Sequence, residues 1–321
     1  AFAGGTLIES INHGYLAVDF FFILSGFVIG YAYDDRWGKS LTVKNFFKRR
    51  LIRLHPMVVM GAVLGVITFC IQGSEQWDGT HVATSMVMWA LLFAMFFIPA
   101  YPGAGYEVRG NGEMFPLNGP SWSLFFEYIG NILYALFVRK FNKVALSVLV
   151  FVAGCFTVYR CLTAPAGDIV GGWALNWEQQ YVGMVRLMYP FFGGLLLSRL
   201  GWLIRLEKRA FWWCSLLIVV VLSIPRIGGE DGYWMNGLYE AFCIICIFPV
   251  IVSMGAGGKV TGKRSTAVCK FLGDISYPIY ITHYPLVYTY TAWVCNNNAT
   301  MAEGIPYMIL TFVGAVVLAY A

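Results

Sequence analysis

The sequence predicts an all-α fold, a polytopic bundle of transmembrane helices. Three observations predict it. Of 321 residues, 59% are hydrophobic and only 12% charged, whereas a soluble domain carries about 25% charged residues. Apolar runs close to the roughly 20 residues that a crossing helix needs recur along the whole chain. The aromatic share of 17% suits belts of Trp and Tyr at two membrane–water boundaries. A soluble protein with this composition would expose large apolar patches.

The runs lie at 16–33, 57–72, 84–101, 121–138, 144–162, 184–200, 211–224, 237–254, 271–290 and 305–321. The net charge is +5, and all but four of the 22 basic residues fall in clusters at 36–53, 139–143, 199–209 and 259–270. Each cluster separates two apolar runs, which speaks against nucleic-acid binding and for the positive-inside bias. With every cluster on the cytoplasmic side, the runs alternate in direction, and the loops at 164–180, 226–236 and 296–304 fall outside. Only 84–101 breaks the parity, so it is expected to be re-entrant, broken or laid along the surface, covered by protein or a wet cavity. About nine crossings result, starting from outside. A first helix before Ala1 would repair that start and make ten. The chain is expected to be one domain, 1–321, trimmed at both ends. No cleavable signal peptide is visible. The eight Cys residues lie mostly inside apolar runs, so Cys243 and Cys246 read as buried thiols and not as a redox or metal pair.

Ionisable groups inside spans are expensive and point to function. Four segments carry them. In NHGYLAVDFFFILSGFVIG, His13 sits at the outer mouth and Asp19 about a turn inside the first run. His suits proton transfer near neutral pH, and a buried carboxylate needs a partner or a proton. A surface His and a carboxylate capping backbone amides fit equally well. Ser25 and Gly26 allow close helix packing or a kink. In KRRLIRLHP, Arg50 and Arg53 are three apart and share one helix face. Paired guanidinium groups clamp phosphates, although anchoring to anionic lipid headgroups is the commoner juxtamembrane role. In GPSWSLFFEYIGN, Ser121, Ser123 and Glu127 enter the fourth run, with Ser123 and Glu127 on one face. Glu127 suits acid–base work in its apolar setting, or orders the bundle through a hydrogen bond. Trp122 reads as an interfacial anchor. In GDISYPIYITHYPLVY, His283 falls mid-span between Pro278 and Pro285, as part of a proton path or as a partner of a proline-freed carbonyl. The chain lacks a phosphate-binding glycine loop, a zinc motif and a GxSxG elbow.

These four segments together resemble the acyltransferase family 3 membrane proteins. The matching patterns are H-G-x-x-x-V-D-x-F-F-x-x-S-G from His13 to Gly26, R-x-x-R-x-x-P at Arg50, Arg53 and Pro56, W-S-L-x-x-E from Trp122 to Glu127, and G-x-I-S-Y-x-x-Y-x-x-H from Gly273 to His283. Each motif alone is weak, but four in order are specific. The resemblance implies an enzyme of the bacterial inner membrane that moves an acyl group, often acetyl, from acyl-CoA to a hydroxyl on a carbohydrate or other cell-envelope acceptor, as in polysaccharide O-acetylation. It implies no metal. Arg50 and Arg53 would hold the CoA phosphates. Asp19, Glu127 and His283 would line a catalytic cavity, with Ser25, Ser121, Trp122, Ser123 and Tyr277 in its wall. The chain departs from the family in one place. The family's first helix carries an Arg and, some ten residues on, a His base. Neither is present; a start trimmed before Ala1 would account for that and make His13 a loop residue, and His13, the remaining amino-terminal His, is kept among the expected catalytic residues with Asp19, Glu127 and His283. A secondary transporter of a small polar solute is the competing class, weakened by the lack of an inverted repeat.

Overall fold

The computed structural model describes residues 12–228 and 232–321. Its helices are α1 (Ala17–Tyr33), α2 (Val43–Ile71), α3 (Thr84–Met95), α4 (Ser121–Leu136), α5 (Lys143–Thr163), α6 (Trp177–Leu200), α7 (Ala210–Ser223), α8 (Tyr233–Phe242), α9 (Phe248–Gly257), α10 (Lys263–Asn297) and α11 (Met301–Tyr320). A π-helical segment, Cys243–Ile247, joins α8 to α9. The described residues form no strand, only isolated bridges.

Six stretches are long and apolar enough to cross a membrane: Gly14–Arg36, Val43–Ile71, Lys143–Thr163, Trp177–Leu200, Tyr233–Gly257 and Met301–Tyr320. The runs at 121–138 and 211–224 give helices of only 16 and 14 residues, shorter than the expected full crossings. Helix α10 has 35 residues, beginning at the basic cluster. The segment at 84–101 is broken. Its helix has 12 residues, a rise of about 18 Å. The chain then turns at Phe97, whose φ is 58°. It returns to the end it left, where the Ala100 amide bonds the Met114 carbonyl at 2.7 Å.

The bundle is apolar outside and polar within. Phe151, Val144 and Phe312 point outward, while Asp19, Arg50, Glu127, Arg186 and Glu240 are buried. Lipid tolerates the first group, and the second finds partners only inside. Polar caps set helix starts: Thr42 accepts from the Asn45 amide at 3.2 Å, and Thr300 with Glu303 forms a capping box on α11. Helices α1 and α6 cross where neither tolerates a side chain. A methyl group at Gly26 would sit 1.8 Å from the Phe191 carbonyl oxygen, and one at Gly194 would sit 2.0 Å from that of Ile23. Close backbone contact of this kind replaces the hydrophobic drive that lipid removes.

Prolines break the ladder, and neighbours fill the gaps. Pro249 cannot donate to the Ile245 carbonyl, and the Tyr189 hydroxyl does so at 3.0 Å. Pro285 frees the Ile281 carbonyl, which takes the Asn118 side-chain amide at 3.0 Å.

The two ends of the bundle differ. At one end, Arg199 holds Asp34 at 2.6 Å and donates to the Phe141 carbonyl at 2.8 Å. All four basic clusters lie at this end, in the turns α1–α2, α4–α5, α6–α7 and α9–α10 and in the adjoining starts of α2 and α10. At the other end, the loop 96–120 is pinned by Arg109. Its guanidinium donates to Gln72 at 2.8 Å and to the Pro116 carbonyl at 2.9 Å, and lies 3.7 Å over the Tyr288 ring. Tyr288 in turn donates to Glu113 of the same loop.

Candidate active site

A cavity of about 310 Å³ opens between α1, α2, α4 and α10. Each helix brings one polar group to it. On α1, Gly26 is consumed by the crossing with α6, which turns the adjacent Ser25 toward α4. Its hydroxyl donates to Glu127 at 2.7 Å. On α2, Arg50 lies a little over two turns into the helix and ion-pairs with the same carboxylate oxygen of Glu127. Arg53, one turn on, is exposed at the rim. On α10, the Tyr277 hydroxyl donates to the Leu54 carbonyl at 2.8 Å. Tyr280 closes the wall, held by Ser123 at 2.6 Å and the Pro120 carbonyl at 3.0 Å. Phe20, Leu24 and Val28 make the remainder apolar.

The polar groups of this cavity are incompletely satisfied. Glu127 Oε2 and Arg50 Nε have no hydrogen-bond partner among the described residues. Buried polar atoms are nearly always paired. One acceptor and one donor left open on cavity-lining side chains match a ligand that carries both, such as an amide.

His283 lies next door. Its Nδ1 faces the Ile279 carbonyl at 2.9 Å. A carbonyl only accepts, so Nδ1 carries the proton and Nε2 keeps the lone pair. His283 lines a second cavity of about 520 Å³ between α10 and α11. Tyr280 and Ser276 line both cavities.

Several expected site residues are placed elsewhere. His13 is fully buried and is no surface residue. Its Nδ1 meets the Ile224 carbonyl at 2.8 Å and its Nε2 meets Asn236 Oδ1 at 2.9 Å. Both partners accept, because Oδ1 also receives the Ile227 amide at 3.2 Å, so neither ring nitrogen is open to act as a base. Asp19 does not line the cavity. Arg186 grips it at 2.7 and 3.2 Å and also donates to the carbonyls of Gly171 and Tyr15. Ser121 is buried at the start of α4. Trp122 is no interfacial anchor: its ring packs against Gly172, with the Arg186 guanidinium 5.0 Å away. A helix turns about 100° per residue, so Trp122 points away from the cavity that Ser123 approaches.

Sequence reasoning missed Arg186, Glu240 and Tyr280. Glu240 accepts from Tyr15, from Asn236 at 2.9 Å and from the Ile169 amide at 2.7 Å. Arg186 and Glu240 were visible as charges within or beside apolar runs. Tyr280 was visible as the second tyrosine of the motif that ends at His283.

The model of the acyltransferase domain matches residues 2–320. The chain is 23% identical over 302 residues to the acyltransferase MdmB of Streptomyces mycarofaciens, across 88% of this chain and 71% of that one. It is 34% identical over 128 residues to protein 2 in the picA locus of Rhizobium radiobacter, across 38% of this chain and 64% of that relative's length. No solved structure matches.

Proposed function

The chain belongs to the acyltransferase domain family, and from that premise we propose that it moves an acyl group, acetyl in the first instance, from acyl-CoA to a hydroxyl of a carbohydrate or other cell-envelope acceptor. The basic end of the bundle faces the cytoplasm of a bacterial inner membrane, where acyl-CoA is available, because positive loops are retained there.

One observation supports this reading above the others: Arg50, Arg53, Ser25 and Glu127 line a single cavity near the basic end. Arg53, exposed at the rim, meets the CoA phosphates, and guanidinium suits them. Arg50 is buried against Glu127, so the division of labour differs from a simple two-arginine phosphate clamp. Its open Nε donates to a carbonyl oxygen of the acyl-pantetheine arm, and the open Oε2 of Glu127 accepts an amide N–H of the same arm. Where that carbonyl is the thioester's, Arg50 stabilises the negative charge that builds on its oxygen during attack, which is worth about 10²–10³-fold in rate.

His283 Nε2 takes the proton of the acceptor hydroxyl as its oxygen attacks the thioester carbon. The C–S bond breaks and the new ester C–O bond forms. The same proton passes from His283 to the departing sulfur, giving CoA thiol with no net proton change. Ser121 and Ser123 have no adjacent base, so no acyl-enzyme is invoked.

The test is acetyl-CoA binding and labelled acetyl transfer by purified Arg50→Ala and Arg53→Ala protein. Arg53→Ala weakens acetyl-CoA binding by about tenfold, the scale of one charge-assisted hydrogen bond, and the loss shrinks in high salt. Unchanged binding in both variants removes the donor-site assignment.

A further inference from the structure

The donor cavity is not the only space beside the reacting groups. The second cavity, between α10 and α11, is larger, at about 520 Å³ against 310 Å³. Its wall is mostly apolar, with Ile279, Val287, Met308 and Phe312. Five side chains with polar atoms interrupt that wall: Ser276, Tyr280, His283, Tyr290 and Thr311. The hydroxyl of Thr311 is tied back to the Tyr307 carbonyl at 2.8 Å, and that of Ser276 to the Gly273 carbonyl at 2.8 Å. His283 brings an open atom to this wall, since its Nδ1 proton is fixed on Ile279 and Nε2 has no partner among the described residues.

The location of this cavity matters. Helix α11 is only 11% buried by the described residues across its apolar window, and an apolar face of that kind beside the groove between α10 and α11 suits lipid. Its inner wall, Tyr280 with Ser276, is also a wall of the cavity that holds Arg50 and Glu127. A water-soluble sugar arriving here would lose its hydration against Ile279, Val287, Met308 and Phe312. An alcohol with an apolar tail would bury that tail and bring its hydroxyl to His283.

Resting on the acyl-transfer reading above, we propose that the acceptor enters sideways from the membrane. It is an amphiphilic alcohol, a hydroxyl-bearing head on an apolar chain, with its tail between α10 and α11 and its hydroxyl at His283 Nε2. Donor and acceptor then approach from two cavities and meet at Tyr280. Tyr280 is a positioning residue, anchored by Ser123 and Pro120.

The test uses the full chain in lipid nanodiscs with labelled acetyl-CoA and a series of alkyl β-glucosides of rising chain length, with glucose as the tail-free member. Rates are referred to the free acceptor concentration in water, the state from which each methylene is buried. Transfer efficiency rises roughly 3- to 4-fold per added CH₂ until the groove is filled, the factor that burial of one methylene gives. Thr311→Phe and Met308→Trp fill the groove and flatten that slope. A series that is flat, or equally steep in both variants, overturns the lateral route. In parallel, a diazirine-bearing alkyl glucoside maps the groove without turnover. Label on Ile279, Val287 or Phe312 that excess octyl glucoside displaces supports the site. Label spread over α5 and α7 identifies annular lipid and overturns it. Loss of all thioester cleavage and transfer in the intact protein sinks the acyl-transfer reading, and the photolabel then decides the groove by itself.

Discussion

Two buried arginine–carboxylate pairs stand in this bundle and are built to opposite specifications. Arg186 meets Asp19 through two nitrogens and spends its other donors on the Gly171 and Tyr15 carbonyls. Neither residue lines a cavity described above. Arg50 meets Glu127 through one nitrogen, Ser25 shares the same oxygen, and Nε and Oε2 are left open beside a cavity. A closed pair of charges in a medium of low dielectric locks helices together, and breaking it exposes an uncompensated charge. An open pair holds back two hydrogen bonds that a substrate can complete. The difference separates a girder from a workplace, although both are the same two residue types across helices.

The largest effect that would break this contrast is on folding. Arg186→Met leaves Asp19 charged and buried, at a cost of about 3–5 kcal/mol, enough to abolish a monodisperse purified protein or to lower its thermal midpoint sharply. The double variant Asp19→Leu/Arg186→Met recovers much of that loss. Wild-type thermal stability in the single variant would make the two pairs equivalent. Next in size is Glu127→Gln. Its amide oxygen still accepts from Ser25 and Arg50, so the fold survives, but the charge is gone. Turnover of acetyl-CoA falls about 10²-fold, while the thermal midpoint falls less than for Arg186→Met because the hydrogen bonds are kept. A midpoint that drops as far as for Arg186→Met, with turnover per folded molecule intact, would assign Glu127 a structural role. The smallest effect concerns a looser acid–base neighbourhood, Arg109 and Glu113 in the outer loop. Burial pushes the Glu113 carboxyl up from 4.5 to about 7, against the opposing pull of Tyr288 and Arg109. The folded state thus binds more protons than the unfolded one between these values. Its stabilisation is full below 4.5 and is lost as pH rises through 7. Limited proteolysis within 96–120 should be faster at pH 8 than at pH 6, and Glu113→Gln should erase the difference.

Much of the bundle was legible because lipid imposes a simple grammar. Long apolar runs became helices, and the misfit of 84–101 with charge parity marked the short α3 and its return. Helix starts were less legible. α2 begins at Val43, well before its apolar run, because Lys and Arg are good helix formers and the amphipathic Arg50–Arg53 face needs a helix to carry it inward. Arg50 and Glu127 each stood out as charges within or beside spans, but their pairing did not follow, since Arg50 was expected on the CoA phosphates and Glu127 beside Asp19 and His283. The partners of Asp19 and His13 did not follow, because they come from 167 and 223 residues away. Local spacing says nothing about which buried acid meets which buried base. Arg186 carried the same signal as Asp19, a charge within an apolar run, and the two are best read jointly: an isolated acid and an isolated base on different spans are candidates for each other.

The bond from Asn118 to the Ile281 carbonyl bears on how the chain assembles. Pro285 makes α10 defective at that depth, and a bare carbonyl among acyl chains costs several kcal/mol. The patch comes from a residue 163 positions upstream. As ribosomes deliver the chain, α10 enters the bilayer with its scaffolding already waiting. A protein lacking the stretch before α4 would thread its late helices correctly and still leave one of them with a hole in its backbone.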